Sequence, residues 1–171
     1  MKKFKIVVFC TCIILSIVLF AFGFYKVKTK IAEKKRFSSV KEDFEVCNEY
    51  FQTLCSNDDN VSFDIQYTDG EITTITMYKD SDLEGSSVPL ESKIIESLHH
   101  IYESAFTGGF DSVEITSSRI SYGGMSNRLY VFSKSGKKPT YFYSENPTHE
   151  FSYRTYNLGD NWFLLKSRHI R

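Results

Sequence analysis

Residues 80–91 read DSDLEGSSVPLE, and their side chains sit at the spacing of a twelve-residue calcium loop. Such a loop draws oxygens from positions 1, 3, 5, 7, 9 and 12 and turns sharply at a glycine in position 6. Counted from Asp80, the ligands are the carboxylates of Asp80, Asp82 and Glu84, the carbonyl of Ser86, and Glu91 with both oxygens. Gly85 takes the turn. Carboxylates suit calcium because they replace its water shell and neutralise its charge. Three features oppose the match: Glu84 stands where Asp or Asn is usual, Ser87 replaces an apolar residue, and a strand enters the loop. The competing reading is an acidic turn whose Glu91 sits at the positive end of a helix dipole. Calcium is the one cofactor the sequence suggests.

A second cluster, ESLHHIYE, sets Glu96, His99, His100 and Glu103 at i, i+3, i+4 and i+7, along one flank of a helix. Histidine and carboxylate at those spacings can share a transition metal, or give a histidine its acid–base partner. Metal pairs of that kind take ligands from several helices, and nothing else in the sequence supplies them. The plainer expectation is a solvated face of Glu–His pairs. An enzyme built on His99 or His100 is therefore an alternative reading.

Other motifs are weaker. SSVK (Ser38–Lys41) and SGKK (Ser135–Lys138) have an S-x-x-K spacing without its companion motifs. YGGMSN lacks the lysine of a phosphate loop and reads as a turn. No catalytic constellation emerges, and the expectation leans away from an enzyme. The basic C-terminal strands interleave Arg and Lys with Tyr130, Tyr141, Tyr143, Tyr153 and Tyr156, the ingredients of base stacking. The strongly acidic stretch before them argues against nucleic acid.

These residues must be positioned by a small set of elements. Ser39 and Glu42 fit a capping box, followed by Val40, Phe44, Cys47, Phe51 and Leu54 at helical spacing. Val61, Phe63, Ile65 and Tyr67 alternate as a half-buried strand, and Asp69-Gly70 joins it to EITTITMY as a hairpin. Leu90, Ile94, Ile95, Leu98, Ile101, Tyr102 and Ala105 mark a second helix, stopped by Gly108-Gly109. Strands are expected near 112–122, 127–134, 139–145, 151–158 and 161–168, separated by turn residues. The pattern α-β-β-α-β-β-β-β-β predicts an α+β domain of two helices on an antiparallel, meander-type sheet. Cys47 and Cys55 lie about 12 Å apart along one helix, too far for a disulfide, and read as core residues.

Residues 6–25 are uncharged, and thirteen of the twenty are Ile, Val, Leu or Phe. A helix of that length spans about 30 Å, the thickness of bilayer hydrocarbon. The expected organisation is a basic tail over 1–5, a membrane-spanning signal anchor over 6–25, a basic juxtamembrane linker over 26–38 and an α+β domain over 39–171. The bulky, basic exit FGFYKVKTK favours a retained anchor over a cleaved leader. Charge is polarised: residues 1–36 carry +8, residues 37–114 carry −14 and residues 115–171 carry +6. Such asymmetry concerns partners rather than fold. The functional expectation is a single-pass protein whose extracytoplasmic domain is a non-enzymatic binding or assembly module. Its partners are the lipid bilayer and a protein or ligand at the cell envelope.

Overall fold

The computed structural model describes residues 2–55, 60–79, 84–106, 109–124, 127–139 and 151–169, and the side chains of all these except 2–12, 151–152 and 168–169. Three helices and eight strands follow one another as α1 (Lys2–Ser38), α2 (Lys41–Leu54), β1 (Asn60–Thr68), β2 (Glu71–Lys79), β3 (Ser86–Ser87), α3 (Ser92–Ala105), β4 (Ser112–Thr116), β5 (Arg119–Gly123), β6 (Arg128–Ser133), β7 (Phe151–Gly159) and β8 (Trp162–His169). The fold is α+β. The chain divides into two units, 1–35 and 36–171.

The first unit is helical throughout, so the expected linker over 26–38 begins as a continuation of one helix. The membrane span expected over 6–25 finds no support at this level. Among the described residues no helix is long and apolar enough to cross a membrane. The side chains of 6–12, which open the apolar run, lie outside the described residues.

The second unit is built on one antiparallel sheet with strand order β3-β2-β1-β4-β5-β6-β8-β7. The β1–β2 hairpin turns at Asp69 and Gly70, both at positive φ, as that dipeptide predicts. Two departures from the expected meander stand out. The single strand expected over 112–122 is a hairpin, β4 and β5, because Thr116 Oγ1 accepts the amides of Ser118 and Arg119 and folds the chain back at Ser117-Ser118. The last strand, β8, lies inside β7, between it and β6. The strand expected over 139–145 falls, Pro139 apart, outside the described residues.

Alternation decides which side of the sheet meets the helices. Phe63, Val113, Tyr122, Tyr130, Leu164 and Tyr156 follow one another in register across six strands and are buried. Phe44, Cys47 and Phe51 of α2 and Ile94, Leu98 and Ile101 of α3 join that core. Aromatic rings fill its centre: Phe44 lies 4.8 Å from Tyr122, 5.1 Å from Tyr130 and 5.0 Å from Trp162. Tyr hydroxyls need partners at that depth. Tyr122 donates to Asn48 Oδ1 at 2.7 Å, and Tyr130 donates to the carbonyl of Ala105 at 3.2 Å. Cys47 is fully buried and Cys55 half-buried against the core, and neither is in a disulfide.

Helix starts depart from expectation. Val40, not Ser39, caps α2, and no side chain bonds its first amides. Ser39 instead donates its hydroxyl to the Arg36 carbonyl at 2.8 Å, so the capping box does not form. At the far end of the sheet, Lys41 meets Asp160 of the β7–β8 turn at 2.7 Å.

Candidate functional site

Alternation leaves the other side of the sheet with a different chemistry. Ser62 of β1 faces Glu114 of β4, which faces Ser121 of β5, which faces Val131 of β6. One step along, Ser112 pairs with Gly123, and Leu129 pairs with Leu165. Ser62, Ser112, Glu114, Ser121, Gly123, Leu129 and Leu165, with Asn127, Tyr153 and Ser167, line a groove of about 540 Å³. That volume falls within the range of small-molecule sites, about 300–1,000 Å³. A smaller cavity of about 170 Å³ shares Ser62 and Glu114 and continues toward Tyr78 and Lys79 of β2. Together they form a trough running across the strands.

Two glycines shape it. A Cβ on Gly123 would lie 2.7 Å from Leu129 Cδ1, so glycine lets that leucine cover the floor. Gly124 adopts φ +150, and a Cβ there would lie 2.2 Å from Asp111 Oδ1. The half of the groove on β1, β4 and β5 is rich in hydroxyls. The half on β6, β8 and β7 is more apolar: Leu129, Leu165 and Tyr153 line it beside Ser167, and Val131, Phe163 and Leu165 form a second small core there.

Electrostatics are nearly balanced. Glu114 meets Arg119 at 3.5 Å. Arg128 turns its guanidinium onto Tyr130, donating to its hydroxyl at 3.0 Å. At the rim, burial and the neighbouring Asp64 push the Asp111 carboxyl above the usual range, against an opposing hydrogen bond with Ser112. Ser121 is the telling residue. It is 2% exposed, lines the groove, and its hydroxyl has no hydrogen-bond partner among the described residues. A buried hydroxyl left so costs about 1–3 kcal/mol.

No family model matches the chain, and neither a curated protein nor a solved structure does. The site is read from its own chemistry.

Of the residues singled out by sequence, Gly123, Gly124, Asn127 and Tyr153 line the groove, whereas Glu84, Ser86, Glu91, His99 and His100 do not. Asp80 and Asp82 are outside the described residues. Ser86 pairs with Met77, Ser87 with Thr76, and the Val88 amide donates to the Ile75 carbonyl at 2.9 Å, so this half of the loop is strapped to β2. Gly85 is not at positive φ. Its lack of a side chain instead admits the Thr76 methyl and the Tyr78 ring, which a Cβ would meet at 2.4 and 2.6 Å. Glu91 is the N-cap residue of α3 and accepts the amides of Ile94 and Ile95 through its carbonyl. Pro89 precedes the helix, and its carbonyl accepts the Tyr50 hydroxyl. Among the described residues no group of three or more His, Cys, Asp or Glu is placed to hold a metal.

The histidine flank forms as expected but splits its allegiance. His99 meets Glu103 at 3.3 Å along α3, while His100 reaches Asp43 of α2 at 2.7 Å. His100 is thus an interhelical tie, and Asp43 was not among the residues the sequence suggested. The groove itself went unread because its residues are serines and a glutamate on alternate positions of separate strands. Only register brings them together.

Proposed function

We propose that residues 36–171 form a ligand-binding module whose site is the groove on the side of the sheet away from α2 and α3, and that the apolar N-terminal helix holds this module at a membrane of the cell envelope. The observation that carries the binding reading is the Ser121 hydroxyl, buried in the groove with no partner among the described residues. A polar group is retained at such a cost where a ligand supplies the missing bond. The groove's size and its division into hydroxylated and apolar halves fit a ligand with both characters.

Support for the anchor is sequence and surface. Residues 6–25 are uncharged, and Ile14, Ile17, Val18, Leu19, Phe20 and Phe24 are all exposed around α1. A helix apolar all round needs an apolar surrounding. The domain is proposed to face the extracytoplasmic side. Alkaline extraction of membranes followed by N-terminal sequencing tests the anchor: the chain should stay in the pellet with residues 6–25 present.

Photocrosslinking tests the binding site. A benzoylphenylalanine placed at Tyr153 in the full chain, expressed in cells, should form a discrete adduct. The same group at Glu49, exposed on α2, should form none. Adducts at Glu49 alone would move the working surface to the helices.

A further inference from the structure

The groove's lining narrows the class of ligand, and the inference rests on the binding reading above. We infer that the trough takes a neutral oligosaccharide. Four serines, Ser62, Ser112, Ser121 and Ser167, present hydroxyls from four different strands. A hydroxyl both donates and accepts, so it matches another hydroxyl in either sense, which a fixed donor or acceptor does not. Beside them lies an apolar floor of Leu129 and Leu165 with the Tyr153 ring at its edge.

A pyranose ring has that same division, with hydroxyls around its rim and a face of C–H groups that packs on apolar and aromatic surfaces. Charge argues for neutrality. The one carboxylate among the described lining residues, Glu114, is met by Arg119 at 3.5 Å, and the Arg128 guanidinium is engaged with Tyr130. Neither a strongly anionic nor a strongly cationic ligand finds an excess of opposite charge. Continuity argues for more than one ring, because the second cavity shares Ser62 and Glu114 with the first.

The test is calorimetric titration of the full chain in lipid nanodiscs with the trimer of N-acetylglucosamine, and with cellotriose and maltotriose as alternatives. At least one trimer should bind. Ser121→Ala should weaken it by about three- to tenfold, the loss of one neutral hydrogen bond. Tyr153→Ala should lose about tenfold or more. Ser121→Ala fills no space and removes an unsatisfied group, so its melting midpoint should not fall. That separates lost contact from lost fold. Binding that ignores both Ser121→Ala and Tyr153→Ala overturns the inference by placing the sugar elsewhere. If no trimer binds while the Tyr153 crosslinker still captures an adduct, the saccharide class is wrong and the groove reading stands. If neither occurs, both fall.

Discussion

Single residues carry most of what can be tested without knowing the ligand. The buried Ser121 hydroxyl, without a partner among the described residues, is a cost to the fold. Ser121→Ala should therefore raise its stability by about 1 kcal/mol in denaturant unfolding; a loss of that size would mean the hydroxyl has an internal partner. Tyr122 and Asn48 are the opposite case, a buried pair satisfied at 2.7 Å. Tyr122→Phe should cost about 1–3 kcal/mol because it strands the Asn48 amide, and adding Asn48→Leu should recover part of the loss. Additive losses in the double variant would show that the two side chains do not depend on each other. Asp111 gives a pH signature. Its raised pKa means that the folded state holds the proton more tightly than the unfolded state does. Stability from this group is therefore greatest at low pH and declines as pH rises above the ordinary Asp value of about 3.9. Asp111→Asn should be more stable than the parent at neutral pH, with the gap closing as pH falls to that value. A gap independent of pH would assign the effect to packing.

At the level of elements, the sequence spoke most clearly where one short-range rule decides the outcome. Asp69-Gly70 specified a hairpin because few other dipeptides take positive φ at both positions. The stripe of Ile94, Leu98, Ile101 and Ala105 specified the buried side of α3 by period alone. It failed where tertiary pairing decides. Thr116, Ser117 and Ser118 were read through as strand, since each suits a strand and only the Thr116 side chain turns the chain there. Gly85 was read as a metal-loop turn, yet its role is close approach to β2. Gly85→Val should thus destabilise by about 1–3 kcal/mol through overpacking, seen as a lower melting midpoint with or without calcium. The strap at Ser86–Ser87 is held by its pairing with β2, so millimolar calcium is expected to leave the parent's midpoint unchanged. A chelator-reversible rise would restore the loop to its metal-binding reading.

For the whole molecule, the class was legible in the sequence and the site was not. Class follows from periodicity, which is local. The groove follows from six strands being laid side by side in one register, with Ser62, Glu114 and Ser121 contributed by β1, β4 and β5. The strand order, with β8 inside β7, cannot be read from spacing at all. The Lys41–Asp160 bridge from α2 to the β7–β8 turn runs against the polarised charge, its cation coming from the acidic segment and its carboxylate from the basic one. The most direct measurement is an amide chemical-shift titration of the isotopically labelled full chain, in lipid nanodiscs, with solubilised cell-envelope material. The account predicts perturbations at Ser62, Ser112, Ser121, Gly123, Leu165 and Ser167, along the trough. Perturbations confined to the outer faces of α2 and α3, with the trough silent, would contradict it.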